Sequence, residues 1–193
     1  LLSNVAKAAG NATTARKLGG CQTWFETNVD AGVSGSGAGN GAIRTDGTQR
    51  AFTESQLKGV LVKCYNQGGN PNMIMVNAFN KQKLSGFTGG STRFDAAEDR
   101  RLITSIDVYE SDFGTMQVAP NRFIRGANGT AAKIGQDAHI LDMEYWAVSF
   151  LRDFSLQTPA QTSDADQRFM VAEYTLESRN EKASGLITDL TTS

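Results

Sequence analysis

The stretch "TESQLKGVLVKCYNQGGNPNMIMVNAFNKQKLSG" carries the strongest local instructions in the chain and sets what the rest must pack against. Thr53 and Gln56 stand at capping-box spacing, where each side chain can satisfy the other's backbone N–H in the first helical turn. Leu57, Val60, Leu61 and Cys64 follow at helical spacing and predict one buried stripe. Gly68-Gly69 supplies a left-handed C-terminal cap, and Pro71 prevents continuation. "MIMV", Met73 to Val76, is an apolar run of strand length bounded by "NPN" and Asn77, so it reads as a buried central strand. Asn77 then caps a second helix through about Ser85, closed by Gly86. The expected unit is helix, strand and helix wrapped on a sheet.

Helical spacing also marks the beginning of the chain. "LLSNVAKAA" reads as the end of an amphipathic helix. After the break at Gly10-Asn11, Ala15, Leu18, Cys21 and Trp24 or Phe25 predict a second helix from Ala12 to about Asn28. The opening Leu1-Leu2-Ser3, with no initiator methionine, suggests the back part of a longer translated protein. "DAGVSGSGAGNGAIRTDG", Asp30 to Gly47, has little to bury and reads as a loop. A dinucleotide fingerprint would need a buried strand before these glycines and a helix starting on them, and neither is predicted.

Period-two alternation dominates the second half. In "SIDVYESDFGTMQVAP", Ile106 and Val108 alternate with Asp107 and Tyr109, and Met116 and Val118 with Thr115 and Gln117. The intervening Asp112-Phe113-Gly114 matches the magnesium-holding tripeptide of protein kinases, but no catalytic loop or phosphate-binding lysine strand accompanies it. It reads as a hairpin turn with Gly114 at positive φ. "HILDM" and "YWAVSFL" are further strands. Met170, Ala172, Tyr174 and Leu176 alternate with Val171, Glu173, Thr175 and Glu177, predicting one buried and one charged face. "SGLITDLTT" adds a short strand after the turn "RNEKASG". Helices early and strands late indicate an α+β protein.

Composition narrows the function. The chain has 193 residues, 39% hydrophobic and 20% charged, with a formal net charge of -1. That length can bury a sizeable core, and the balance disfavours both disorder and a polyanion-wrapping surface. Cys21 and Cys64, each on a helical pattern, are expected to be buried, reduced thiols of an intracellular folding compartment. With His139 as the sole histidine, no metal centre is expected. His139 itself reads as a solvated or hydrogen-bonded strand residue. No apolar run approaches the roughly 18 residues of a membrane span, and no signal peptide opens the chain. The sequons at Asn11 and Asn128 therefore carry little weight.

The segment "TGGSTRFDAAEDRR" brings Asp95, Glu98 and Asp99 beside Arg93, Arg100 and Arg101. Glu98 and Asp99 offer a paired-carboxylate acid/base reading. Nothing nearby would raise one pKa or exclude water, so an exposed or intersubunit ion-pair cluster of the six side chains is the stronger expectation, with a merely solvated loop as the alternative. Three function classes remain on the residues alone: a structural protein, a small enzyme using Glu98, Asp99 or His139, and a carbohydrate-binding module. The last would need exposed aromatics, whereas Trp24 and Trp146 sit in core-like patterns.

The runs "TTARKLGG", "NPNMIMVNAFNKQKLSGFTGGSTRFDAAEDRRLITSIDVYESDFGTMQVAPNRF", "LDMEYWAVSFLRDF" and "EYTLESRNEKASGLITDLTTS" closely resemble the C-terminal two-thirds of the SU10-like family of tailed-bacteriophage major head proteins. The resemblance covers nearly all of residues 12–193 and is weakest over the glycine-rich loop and Gly126 to Asp137. It implies the HK97-type shell fold: a peripheral domain of spine helix and strands, here formed by residues 1–45 and 150–193, and an axial domain of a mixed sheet flanked by helices, formed by 46–149. The family's N-terminal arm and extended loop would precede this chain. It further implies no catalysis and no cofactor. The resemblance also implies that copies would assemble as hexamers and pentamers around double-stranded DNA in the host cytoplasm, with scaffold, portal or decoration proteins as candidate partners. An encapsulin-like compartment is the rival within this fold. Asn180 beside Glu177 and Glu181 offers side chains for the lysine–asparagine cross-link of some such shells, but no cross-link is expected.

Overall fold

The computed structural model describes residues 5–87, 107–124, 133–160 and 164–192. Its centre is a six-stranded mixed sheet. In chain order the strands are β1 (Val29–Asp30), β2 (Met73–Val76), β3 (Val108–Ser111), β4 (Gly114–Pro120), β5 (Ala138–Leu141) and β8 (Gly185–Ile187), and across the sheet they run β1-β8-β5-β2-β4-β3. The β1–β8 and β2–β4 pairs are parallel, and the others antiparallel. Strands β6 (Trp146–Gln157) and β7 (Phe169–Ser178) form a separate two-stranded antiparallel ribbon. The helices are α1 (Glu54–Asn66) and α2 (Ala78–Ser85).

The central sheet divides two cores, because successive strand residues point to opposite faces. Ile74 and Val76, Ala138 and Ile140, and Ile187 join the stripe of α1 and Leu84 of α2 on one face. Met73 and Met75, Leu141 and Leu186 face the other way, towards Cys21, Phe25 and Trp146. The predicted signals for both helices hold. The Thr53 N–H donates to Gln56 Oε1 at 2.9 Å, and Thr53 Oγ1 accepts from the Gln56 N–H at 3.4 Å. At the other end Gly68 has φ 79. Asn77 Oδ1 accepts from the Asn80 N–H at 2.6 Å, and α2 ends at Gly86. Gly114 has φ 141 in the β3–β4 turn.

Other expectations are corrected. No helix runs from Ala12 to Asn28. Cys21–Trp24 is a single 3-10 turn, and Val5 to Ala9 is not helical, with Ala8 bridged to Lys17. Gly19-Gly20 and the Asn11 side chain, which accepts from the N–H groups of Thr13 and Thr14, turn the backbone away from helix. Cys21 is nonetheless buried. On β3 the faces are reversed: Tyr109 lies opposite Met116 and is buried, while Val108 is 60% exposed. Ile106 lies outside the described residues.

Candidate assembly surface

The charged segment predicted as a site, Arg93, Asp95, Glu98, Asp99, Arg100 and Arg101, lies outside the described residues. His139 lies in the interior. Its ring is fully buried beside Phe25, at 6.3 Å between centroids, and neither ring nitrogen has a hydrogen-bond partner. Burial therefore pushes its pKa down to about 4, and the Arg44 charge acts in the same sense. This corrects the solvated or hydrogen-bonded reading. A neutral, sealed imidazole has no route to substrate. Among the described residues no cluster of His, Cys, Asp or Glu could hold a metal ion, and no helix is long and apolar enough to cross a membrane.

The glycine-rich loop, read as having little to bury, conceals the most polar part of the interior. Its Arg44 is buried. It donates through Nε to Asp137 Oδ2 at 3.2 Å and through Nη1 to Asp189 Oδ1 at 2.9 Å, with Asp46 Oδ1 also at 2.9 Å. Asp137 also accepts from the Gln22 amide. Asp189 accepts from the N–H groups of Gly32 and Gly47, at 2.9 and 3.0 Å. These donors and Arg44 outweigh burial and hold the Asp189 carboxyl below its ordinary pKa. Asp137 has fewer donors, and burial pushes it up to about 8. One guanidinium thus fastens the loop to the start of β5 and to the residues after β8. Only Asp137 and Asp189, carboxylates flanking apolar strand runs, hinted at the cluster in sequence.

The ribbon is the largest feature presented outward among the described residues. Its foot is anchored: the Trp146 indole N–H donates to Ser184 Oγ at 3.0 Å, its ring lies 5.7 Å from Phe25, and Leu176 packs on the same core. Beyond the foot it leaves the body, with Phe150 opposite Tyr174 and Leu156 opposite Met170. The face expected to be buried is apolar but open. Phe154 is 63%, Leu156 61% and Met170 67% exposed. The charged face carries the Arg152–Glu173 ion pair and a hydrogen bond from Ser149 to Glu177. Between the foot and the N-terminal segment is a cleft of about 540 Å³, bordered by Lys7, Lys17, Trp24, Thr175 and Glu177. Asn180 caps the turn Glu181–Ala183, its Oδ1 accepting from the Lys182 N–H at 3.1 Å.

The described residues thus combine two packed cores with an apolar ribbon face that they leave open. The family model described as SU10 major capsid protein matches residues 1–191. The chain belongs to the SU10 major capsid protein family. As a major capsid protein it is a structural protein of a tailed bacteriophage, not an enzyme; it self-assembles into the shell that encloses the phage DNA and resides in the virion. No curated protein matches the chain. Neither the encapsulin-like reading nor the enzyme reading with Glu98, Asp99 or His139 receives support. The mixed sheet with two flanking helices is compatible with a capsid fold.

Proposed function

We propose that this major capsid protein forms an HK97-type icosahedral head, with residues 1–45 and 150–193 in a peripheral domain and 46–149 in an axial domain. The observation that carries the reading is the ribbon, whose open apolar face is that of a subunit completed by its neighbours. Strands β1 and β8 share a sheet with β5 and β2. On this reading, continuous hydrogen bonding joins the two domains, and no flexible hinge separates them. Hexamers and pentamers assemble in the host cytoplasm, with scaffold, portal or decoration proteins as partners. Electron microscopy of the full-length protein tests this. Closed icosahedral particles are expected, and open tubes or unassembled subunits under all conditions would overturn it.

The segment holding Arg93, Asp95, Glu98, Asp99, Arg100 and Arg101 is a contact between neighbouring subunits. Six charges of both signs in so short a stretch exceed what solubility requires. Exposed ion pairs contribute about 0.2–1 kcal/mol each and are screened by salt. Such contacts let misplaced subunits leave, yet they hold when summed over a lattice. Reversing Asp95, Glu98 and Asp99 to lysine together should leave the subunit's melting temperature nearly unchanged and reduce assembly, most at low salt. Normal particles from the triple variant would refute the contact.

A further inference from the structure

We propose that the apolar face of the β6–β7 ribbon is an intersubunit surface, covered in the assembled shell by a second copy of this chain. The inference rests on the shell reading and names which surface is buried. The two faces of the ribbon differ most near its foot. Val148, Phe150, Leu156, Met170 and Tyr174 share one face through their cross-strand pairing, and Phe154 lies against Phe150 at 5.9 Å between centroids. All six side chains are exposed. The other face is polar near the foot, where Ser149 bonds Glu177 and Arg152 pairs with Glu173, and carries Val171 and the exposed Phe169 towards the outer end.

A two-stranded ribbon is marginal in water without a third strand or a covering element. This one has only its foot in the core, yet its strands run 12 and 10 residues. Along β7, Ala172, Tyr174 and Leu176 alternate with Glu173, Thr175 and Glu177 near the foot, and the outer end, Phe169 to Val171, is apolar throughout. A fully exposed aromatic presents about 150–250 Å². At their observed exposures the six side chains therefore offer on the order of 600 Å² of apolar surface, at the upper end for the largest patch on a monomer. A stable protein interface buries about 800 Å² per partner. The patch thus supplies most of one side of an ordinary interface.

The chemistry selects the occupant. Nucleic acid needs cations to neutralise its phosphates, and the six side chains of the apolar face include no lysine or arginine. A lipid surface is usually met with a lysine- and arginine-rich flank, whereas Arg152 and Arg168 are matched by Glu173 and Asp166. In a shell the protein most abundant around each subunit is the same chain, present in every lattice direction.

The test places the photo-cross-linker benzoylphenylalanine at Phe154 and assembles isotopically heavy and light full-length chains mixed in equal parts. Mass spectrometry of irradiated particles should give hybrid heavy–light cross-links from this position. Same-isotope cross-links alone would mean that the chain covers its own ribbon, and cross-links to DNA or another protein would name a different occupant; either overturns the proposal. As a second measurement, Phe154→Ser with Met170→Ser should abolish shells while the subunit's melting temperature holds, and Arg152→Gln on the opposite face should assemble normally. Normal shells from the double variant also overturn it. If the double variant fails to fold, the cross-linking decides. If the unsubstituted chain makes only small oligomers, the shell reading fails by itself, and hybrid cross-links within those oligomers, or their absence, still decide this one.

Discussion

His139 and Asp137 lie two residues apart at the start of β5, and burial moves their proton affinities in opposite senses. The imidazole takes up a proton near 6.5 in the unfolded chain but only near 4 when folded. Acidification therefore favours the unfolded state through that interval, and at pH 5 the loss is about 2 kcal/mol. The Asp137 carboxyl releases its proton near 3.9 when unfolded but holds it to about 8 when folded. Its contribution is full below the unfolded value and is lost as pH rises towards the folded one. Between pH 7 and pH 5 acidification thus returns about 1.4 kcal/mol per pH unit, about 3 kcal/mol in all. The two effects largely cancel in the native subunit, and single substitutions should uncover each. Relative to the native chain, His139→Leu should gain about 2 kcal/mol on going from pH 7 to pH 5, and Asp137→Asn should lose about 3. Any pH-independent effect of either substitution drops out of this comparison. Urea unfolding across the pH series, at constant m-value, measures both. The single histidine also gives one imidazole Cε1–H resonance, which should titrate near pH 4 in the folded protein. A resonance titrating near 6.5 would show that the ring is not sealed. A difference between Asp137→Asn and the native chain that stays constant with pH would show that Arg44 keeps the carboxylate ionised.

Gly114→Val should cost about 1–2 kcal/mol in chemical denaturation through backbone strain at its φ of 141, because an added side-chain carbon would meet Asn70 Oδ1 only at an ordinary 3.5 Å. An unchanged midpoint would contradict the turn. Gly185→Ala would place a carbon 2.3 Å from Val60 Cγ1 and 3.1 Å from Cys64 Sγ, so α1 must shift from β8, at about 1–3 kcal/mol on the same assay. Cys21 and Cys64, buried and each pushed up to about 12 by burial, should react with a thiol reagent only on unfolding. Rapid labelling of the native protein would refute their placement.

What could be read from sequence was whatever neighbouring residues decide. The capping box of Thr53 and Gln56, the Asn77 cap and the Gly114 turn are local bargains between side chain and backbone, so α1, α2 and the hairpin were predicted at nearly their observed bounds. Helical spacing from Ala15 to Trp24 misled because long-range bonds determine that segment: the Gly20 N–H donates to the Val5 carbonyl, and Gln22 reaches Asp137. The reversed faces of β3 follow from pairing Tyr109 with Met116, a choice made by register with β4 and not by β3 itself. Arg44 was hidden for a similar reason, since its carboxylate partners are 93 and 145 residues away. On the ribbon, alternation correctly marked an apolar face. It could not show that the described chain leaves that face open at Phe154 and Met170.

The position of β8 governs the order of events during synthesis. It is the last of the described strands to be made, yet it lies inside the sheet, parallel to the first strand and antiparallel to β5. Until residues 185–187 leave the ribosome, β1 has no neighbour in the sheet and β5 has one bare edge. Asp189, which fastens Arg44, emerges later still. A nascent chain therefore holds its helices and hairpin early but cannot close the sheet until this last segment is out. Removing residues 185–189 would leave β1 without its strand partner and Arg44 without Asp189.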